Sequence, residues 1–324
     1  MRFLGKNFKN VKFFYYLKNY LLLIIPNFFF RKTLEKRLSN FTKNEIDNLI
    51  ERVNYYNKID NEVKVDSTWS KLSDLKIEKK GKTYFFDAYS ISRNFSPTFK
   101  CNFLFGDIDY VPNKPSFVKS RPINNSQNSI LLKLNKVRHF QFVVDNIEPE
   151  NKADILFGRA AVFQKQRIDF YNKYFNHPMC DLGQINQGTK HDQWVKKKAS
   201  LDTHLKHKFI LCIEGNDVAS NLKWVMSSNS IAVMPRPKIE SWFMENKLIP
   251  EKHYIEIKED YSDLESKIKY YIKNPEKCKS IIKNANDYVE QFKDKSREDL
   301  ISLLVLEKYF HFTGQQEKTS FLDY

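Results

Sequence analysis

The feature of this sequence best suited to chemistry is a four-residue polar loop. It consists of Glu214, Gly215, Asn216 and Asp217. The run 209–213 predicts a buried strand before the loop, and apolar residues at helical spacing over 218–226 predict a short amphipathic helix after it. Open α/β sheets bind nucleotides in such loops, because the N–H groups that begin a helix favour phosphate. The same spacing is also typical of an ordinary strand–turn–helix connection in which Asp217 caps the helix.

A second candidate for chemistry is a pair of acids that follows another apolar strand. Residues 102–105 predict the strand, and Asp107 and Asp109 come just after Gly106. A carboxylate at the end of a strand projects into the crevice at the edge of a sheet, a suitable place for a general base. Both residues qualify by position, and the alternative for each is a structural turn residue.

Cations elsewhere in the chain are candidates for binding an anion or, with the right partners, a metal. Lys119 and Arg121 lie in an extended run next to Pro122, where they present charge either to a phosphate or to solvent at a sheet edge. His204 and His207 have metal-ligand spacing, but no Cys or carboxylate accompanies them at ligand spacing. We therefore interpret them as solvated histidines.

Alternating strand and helix patterns would position these residues. We predict strands over residues 82–89, 102–105, 140–144, 209–213, 231–234 and 253–257. We predict helices that begin near residues 42, 167, 218, 240, 262, 275 and 299. The helices at Thr42 and Ser262 start with capping-box spacing. This alternation is typical of Rossmann-like α/β domains.

Length and charge limit the class of protein. A chain of 324 residues with 41% apolar content supports one large or two moderate domains. The 54 basic and 39 acidic residues give a net charge of +15, which implies an anionic partner: a nucleic acid, a phosphorylated substrate or an acidic membrane. The four cysteines lack CxxC spacing, and Cys212 is predicted to be a buried thiol. A reducing, cytoplasmic compartment fits this pattern.

The N-terminal 30 residues combine basic and aromatic side chains. The segment has the basic start and apolar core of a secretory signal, but Lys18 and Pro26 interrupt the core and no small-residue cleavage site follows. The longest charge-free run, 19–30, is short for a bilayer span. We expect either an anchor in the interface of an anionic membrane or a segment that packs on the folded body.

The second half of the chain resembles the donor-nucleotide half of glycosyltransferase family 90. The motifs are Glu214-Gly215, residues 219–224 (ASNLKW), Ser228-Asn229-Ser230, Glu240-Ser241-Trp242 and His253-Tyr254-Ile255. This family contains the CAP10-like proteins, the protein O-glucosyltransferases and the LpsA-type lipopolysaccharide glycosyltransferases. A weaker continuation extends back to about Phe99, and the first 40 residues and the C-terminal tail lie outside the resemblance.

The resemblance implies a fold and a role for each candidate residue. The fold is α/β of the GT-B type, in which two Rossmann-like domains face each other across a cleft. Asp107 matches the family's catalytic aspartate, which deprotonates the acceptor hydroxyl, and Asp109, Lys119 and Arg121 are secondary substrate-binding candidates. The donor-binding candidates are Arg159, Arg167, Glu214, Gly215, Asn216, Asp217, Ser220, Asn221 and Lys223.

The family is also metal-independent, so the resemblance implies that side chains neutralise the negative charge of the donor diphosphate. Arg159, Arg167 and Lys223 would neutralise the departing diphosphate in place of a metal ion. The order Phe157-Gly158-Arg159 departs from the family's usual Trp/Phe-Arg-Gly. We expect no metal and no cofactor, with a UDP-sugar as co-substrate, and we do not interpret Asp107-Ile108-Asp109 as a metal motif.

The resulting prediction is an inverting hexosyltransferase of lipopolysaccharide biosynthesis. It would move glucose or galactose from a UDP-sugar to a lipid-linked oligosaccharide of the lipopolysaccharide or lipooligosaccharide core. We expect a cytoplasmic protein, peripheral on the inner face of the cytoplasmic membrane. The alternative within the family is a capsule or protein O-glycosyltransferase. The alternative from another class, a basic nucleic-acid-binding protein, rests on charge alone, and since no nucleic-acid-binding motif occurs we predict no such partner.

The sequence also predicts a domain organisation. Residues 1–40 form the N-terminal segment, residues 41–185 an acceptor-side Rossmann-like domain, and residues 186–295 a Rossmann-like domain that binds the nucleotide-sugar. Residues 296–324 form a C-terminal helix and tail.

Overall fold

A computed structural model describes residues 8–30, 38–78, 81–124 and 127–317 of the chain. These residues divide into two units. The central unit contains Arg138–Ile239 and Phe243–Lys293, and the terminal unit contains Lys9–Val137, Glu240–Trp242 and the chain from Asp294 onward. The predicted domain boundary between residues 185 and 186 falls inside the central unit, because strands from both sides of it join one sheet.

Helices and strands alternate along the described residues. The helices are α1 (Phe8–Ile24), α2 (Lys43–Tyr56), α3 (Lys82–Ser92), α4 (Lys136–His139), α5 (Lys165–Tyr174), α6 (Leu201–Leu205), α7 (Leu222–Met226), α8 (Leu264–Lys273), α9 (Pro275–Glu290) and α10 (Lys295–Phe312). The strands are β1 (Ser70–Lys71), β2 (Lys100–Cys101), β3 (Phe103–Leu104), β4 (Ser116–Val118), β5 (Ser120–Pro122), β6 (Ser129–Leu131), β7 (Ala153–Ala160), β8 (Cys180–Gln184), β9 (His207–Leu211), β10 (Ile231–Met234), β11 (Ile239–Ser241) and β12 (Ile255–Glu256). The chain is therefore a mixed α/β protein.

The central unit is built on a five-stranded parallel sheet. Its strand order is β12-β10-β9-β7-β8, so the chain runs outward from β7 to β8 and then returns to the other side of β7 at β9. The inward-facing side chains, such as Leu156, Phe209 and Val233, are fully buried. Such near-continuous apolar strands are typical of a parallel sheet that helices cover, because neither face meets water.

The terminal unit has a smaller parallel sheet beside a buried helix. The sheet order is β3-β4-β6, while β1 pairs with β2 and β5 with β11. In α10, every residue from Leu300 to Phe310 is buried, which is the pattern of a helix enclosed on all sides. The predicted capping box of α2 is confirmed: the Glu45 N–H donates to Oγ1 of Thr42, and the Thr42 N–H donates to Oε2 of Glu45 at 2.9 Å.

One buried carboxylate ties several segments of the terminal unit together. Glu298 lies 2.6 Å from Nη1 of Arg52 and 2.7 Å from Nζ of Lys133, and it accepts a 2.7 Å hydrogen bond from the indole N–H of Trp242. The Trp242 ring stacks on Tyr56 with centroids 3.8 Å apart. Because removing one partner from such a group leaves a buried charge uncompensated, these contacts hold α2, α10 and residues 240–242 in one arrangement.

Two predictions of strands are wrong. Residues 82–89, predicted as a strand, belong to α3, where Tyr84, Phe85 and Phe86 are all buried, so the apolar pattern lacks a helical period. The segment 140–144 is not a strand, and the Val143 N–H donates to Oγ of Ser227 at 3.0 Å instead of to a neighbouring strand.

Two predictions about helices and one alternative are also wrong. Residues 240–248 form the end of β11, a left-handed residue at Met244 (φ +55°) and a 3-10 turn. Asp217 does not cap a helix, because α7 begins only at Leu222. Ser262 does not open a capping box, because its hydroxyl donates to Asp260 and the helix begins one residue later than predicted. The remaining predicted strands are confirmed with shifts of one or two residues, and Cys212 is a buried thiol.

Candidate active site

The central unit has a cavity at the carboxyl edge of its sheet, where the strand order reverses between β7 and β9. The cavity has a volume of about 340 Å³. Its lining includes Gln166, Glu214, Arg236, Lys238, Glu245 and Tyr261. Ligands of open α/β sheets bind in the crevice at this reversal, because the loops after the two strands diverge there. The loop 214–217 that follows β9 lies at this edge.

Arg167, on the first turn of α5, fixes that loop. Its guanidinium donates to the carbonyl oxygens of Ala161 (2.9 Å), Ile213 (3.0 Å) and Glu214 (3.1 Å). A Cβ at Gly215 would lie 3.0 Å from Nη2 of Arg167, so glycine allows the close approach. Burial lowers the pKa of Arg167. The side chain thus links the ends of β7 and β9.

Glu214 presents a half-buried carboxylate to the cavity. Its Oε1 accepts hydrogen bonds from the backbone N–H groups of Lys238 and Ile239, each at 3.0 Å. Burial raises the pKa of Glu214 to about 7, and the two N–H groups oppose that rise. Near neutral pH the group is therefore close to half ionised, so it can act as either a donor or an acceptor toward a ligand hydroxyl.

Lys223 and Glu245 form a buried ion pair at the same cavity. Nζ of Lys223 lies 2.5 Å from Oε1 of Glu245, and the two side chains are 0% and 2% exposed. The Lys223 ammonium also lies 5.4 Å from the centre of the Phe243 ring. Glu245 lines the cavity and Lys223 does not, so the charge of Lys223 acts on the cavity through Glu245.

Arg159, near the end of β7, is held in a separate ion pair. Its Nη2 lies 2.9 Å and 3.1 Å from the two carboxylate oxygens of Asp181, and Lys196 lies 2.9 Å from Oδ1 of the same group. Burial opposes ionisation of Asp181, but Lys196 and Arg159 hold its pKa below the usual value. Since Gly183 would clash with Arg159 if it carried a Cβ, this packing is tight. Arg159 does not line the cavity.

The remaining donor-site candidates shape or flank the loop. Asn216 is exposed and its Oδ1 accepts a 2.8 Å hydrogen bond from Gln164. Asp217 is buried, and Ser220 is half-buried. Asn221 donates to the Leu211 carbonyl at 2.9 Å, which ties the start of α7 back to the end of β9.

In the terminal unit, Asp107 pairs with Lys119. Asp107 follows β3 and Lys119 follows β4, and these strands are parallel neighbours with Leu104 opposite Val118. The Lys119 Nζ lies 2.5 Å from Oδ1 of Asp107. The Lys119 side chain is 3% exposed and that of Asp107 is 33% exposed. The Asp107 carboxylate is therefore bound by a buried ammonium on one side and is open to solvent on the other.

Asp109 and Arg121 have different surroundings. Asp109 is exposed, two residues beyond Asp107. Arg121 is fully buried: its Nε lies 2.8 Å from Oε1 of Glu240, and its Nη atoms donate to the carbonyls of Tyr55, Tyr56 and Ser129. Arg121 therefore binds its own chain, and the prediction that it lies at a solvated edge or faces a phosphate does not fit this burial.

Sequence reasoning missed four polar residues of these sites. They are Gln166, Asp181, Lys238 and Glu245. Gln166 donates to the Gly215 carbonyl at 2.8 Å, and Lys238 supplies an N–H to Glu214. The signal that selected loop 214–217, polar residues just after a strand, also occurs at residues 235–238 after β10 and would have found Lys238.

Comparisons with known proteins give the family. The sequence model of glycosyl transferase family 90 matches residues 162–312, a span that includes Arg167, loop 214–217 and Lys223. The O-glucosyltransferase LpsA of Dichelobacter nodosus is 36% identical to this chain over 306 residues, which cover 93% of this chain and 96% of that relative. This chain belongs to glycosyltransferase family 90. The predicted family and enzyme class are confirmed, and the chain is a glycosyltransferase of the LpsA type.

A second relative of this family 90 glycosyltransferase matches a smaller region. The uncharacterized protein 179R of Invertebrate iridescent virus 6 is 32% identical over 106 residues, which cover 31% of this chain and 9% of that protein. Asp107 lies outside the residues that the family model matches. The assignment of Asp107 consequently depends on its strand-end motif and on its pairing with Lys119.

Proposed function

We propose that this family 90 glycosyltransferase transfers a hexose from a UDP-sugar to a lipid-linked oligosaccharide of the lipopolysaccharide or lipooligosaccharide core. The observation that carries the donor assignment is the cavity at the strand reversal of the central unit, with Arg167 and Glu214 at its loop. Of the two predicted hexoses, glucose is favoured by the name of the O-glucosyltransferase LpsA, the relative that matches 93% of this chain.

In the donor site, each residue has a chemical task. Apart from that of Gly215, which donates to the Asp217 carbonyl at 2.9 Å, the N–H groups of loop 214–217 and of the following turn hold the nucleotide phosphates, and Glu214 hydrogen-bonds the ribose. Arg167 lies beside the cavity without lining it; a guanidinium has five N–H groups, so its three carbonyl bonds leave two for the diphosphate. Lys165, Arg236 and Lys238 also line the cavity. Their ion pairs with Asp169, Glu256 and Glu259 are exposed to solvent and therefore weak, so these cations can turn to the diphosphate.

Arg159 and Lys223 act less directly in this proposal than the sequence suggested. Each is held by a carboxylate, Asp181 and Glu245 respectively. Contact with the departing diphosphate would require those ion pairs to open. We therefore assign Lys223 to positioning Glu245 and Arg159 to supporting the edge of the sheet.

In the transfer step, Asp107 takes the proton of the acceptor hydroxyl as its oxygen attacks the anomeric carbon. The new C–O bond forms as the bond to the diphosphate oxygen breaks, so the configuration at the anomeric carbon inverts and UDP leaves. Lys119 orients the carboxylate. Cationic side chains, and no metal ion or cofactor, stabilise the leaving diphosphate. Family membership supports the GT-B arrangement, two Rossmann-like domains facing across a cleft, for this reaction.

The acceptor also suggests where the enzyme works. A lipid-linked acceptor requires a membrane surface, and we propose that the protein is cytoplasmic and peripheral on the inner face of the cytoplasmic membrane. None of the described helices is long and apolar enough to cross a membrane. The net charge of +15 favours binding to an anionic surface.

A donor screen tests the proposed function. Purified protein would be titrated with UDP, UDP-glucose, UDP-galactose, GDP-mannose and a short DNA and RNA duplex while binding is measured by calorimetry. We expect binding of the uridine nucleotides and, with a core oligosaccharide acceptor and EDTA present, transfer of the hexose with inversion. Binding of DNA or RNA without uridine nucleotides would overturn the proposal. Transfer to a peptide or capsule fragment, but not to the core, would assign the enzyme to the alternative acceptor class.

A further inference from the structure

The described side chains of the N-terminal helix contact the rest of the terminal unit through one face. The Tyr15 hydroxyl donates to Oδ1 of the buried Asp87 at 2.8 Å. The rings of Tyr16 and Tyr20 lie edge-on to Phe86, with centroids 6.0 and 5.0 Å away. These contacts fix which side of α1 faces the protein.

Arg93 fixes the end of the same segment. Its guanidinium donates to the carbonyls of Leu22 and Ile25 and to Oδ1 of Asn27, the last at 3.0 Å. The Arg93 guanidinium also lies 4.0 Å from the centre of the Phe30 ring. The helix and the 3-10 turn that follows it (Asn27–Phe30) are thus held in a set orientation on the terminal unit.

The opposite face carries large apolar side chains that are exposed. They are Phe13, Phe14, Leu17, Leu21, Ile24, Ile25, Phe28 and Phe29, each between 39% and 78% exposed. At 100° per residue, those within α1 fall on one side of the helix, and the paired Phe28 and Phe29 rings, 3.9 Å apart, continue the surface beyond it. A contiguous apolar surface of this kind marks a docking site, because a protein in water otherwise buries such side chains.

Charge around this surface identifies its partner. Lys12 and Lys18 are exposed on the same helix. Lys9 belongs to the same helix, and the sequence on both sides of it adds the basic residues Arg2, Lys6, Arg31 and Lys32. Described residues 8–30 contain no acidic side chain. Aromatic and aliphatic side chains among cations are typical of segments that lie in the headgroup region of an anionic bilayer.

We infer that the exposed face of α1 and the Asn27–Phe30 turn form a membrane-docking surface that seats the terminal unit on an anionic lipid bilayer. This inference deepens the proposed function and rests on it for the reason to bind a membrane, since the acceptor is lipid-linked. It also joins the two predictions made for the N-terminal segment. One face packs on the folded body and the other binds lipid.

Point substitutions test this surface better than deletion of residues 1–30, because deletion would also uncover Asp87 and Arg93. The test variant is Leu17→Gln, Leu21→Gln, Ile24→Gln, which keeps residues that favour helix. The matched control is Val144→Gln, Ile249→Gln, Tyr270→Gln, three apolar side chains of similar exposure in the central unit. Each protein is sedimented with vesicles of phosphatidylcholine alone or mixed with phosphatidylglycerol, at low and high salt.

We expect wild type and the control to sediment with the phosphatidylglycerol vesicles, more weakly at high salt, and the test variant to bind at least tenfold less. The melting temperature and the transfer to a soluble core oligosaccharide should be unchanged. Wild type that stays in the supernatant, or a test variant that binds as wild type does, would overturn the inference. Wild type that dimerises without binding vesicles would assign the surface to self-association. Absence of transfer by all three proteins would contradict the proposed function. The sedimentation result would still decide whether the surface binds lipid.

Discussion

The ammonium of Lys119 lies 2.5 Å from the carboxylate of Asp107, and the two residues follow the carboxyl ends of neighbouring parallel strands. Lys119 is almost fully buried and Asp107 is one-third exposed. This arrangement favours a role for Lys119 different from the phosphate contact or the solvated edge that its sequence position suggested. It holds the carboxylate of the proposed base in place.

Replacing Lys119 should slow turnover without weakening the binding of the donor. Lys119→Met removes the group that orients Asp107, and we expect kcat to fall about 10- to 100-fold, while KM for the donor stays the same. Lys119→Arg, which keeps the charge, should recover most of the activity. Steady-state kinetics measures both. If only the KM for the donor rises in the variant, Lys119 binds the donor phosphate and does not position Asp107.

Arg167→Ala should lower stability as well as turnover. Three carbonyl oxygens lose a charged donor, so we expect a loss of about 3 kcal/mol in the free energy of unfolding. Turnover should fall about 100- to 1,000-fold, because the diphosphate also loses a donor. Urea unfolding measures the first effect, and assays well below the melting temperature measure the second. If the folded variant has the turnover number of wild type, Arg167 stabilises the loop and does not contact the diphosphate.

Glu214 should make stability depend on pH. Burial raises its pKa from 4.5 to about 7, so the folded protein binds this proton more tightly than the unfolded chain does. The resulting stabilisation is complete below about pH 4.5 and is lost as the pH rises through about 7. Its size is on the order of 3 kcal/mol. Unfolding at a series of pH values should show a decline that Glu214→Gln reduces, and an equal decline in that variant would contradict the assignment.

The buried Lys223–Glu245 pair should show strong coupling. Lys223→Met leaves the Glu245 carboxylate buried without its partner, and we expect a loss of about 3 to 5 kcal/mol. The double variant Lys223→Met, Glu245→Gln should recover a large part of that loss. A double-mutant cycle by urea unfolding measures the coupling. Additive effects of the two substitutions would show that the pair does not act as a unit.

Local patterns predicted the central unit better than the terminal unit. Strand 231–234 and the helix at Pro275 are clear in the sequence, because each is apolar on the faces that the sheet and its helices bury. Helix α3 was predicted as a strand, since its run KTYFFDAY is buried around most of its circumference and carries no period.

In the candidate site, too, local sequence patterns predicted some features and missed those that depend on tertiary packing. The loop after β9 was predictable, because polar residues after a buried strand mark a sheet edge. The partners of Arg159, Lys223 and Arg121 were not, because Asp181, Glu245 and Glu240 reach them through tertiary packing across long stretches of sequence. Arg121 and Glu240 are 119 positions apart, and no local pattern joins them.

The central claim is that Asp107 is the base of a metal-independent transfer. The most direct measurement is the rate of hexose transfer from UDP-glucose in the presence of EDTA, for Asp107→Asn and for its matched control Asp109→Asn, with UDP affinity measured on the same samples. We predict that Asp107→Asn loses at least about 100-fold in rate and binds UDP as wild type does, while Asp109→Asn stays active. Full activity of Asp107→Asn, or loss of wild-type transfer on adding EDTA, would contradict the account.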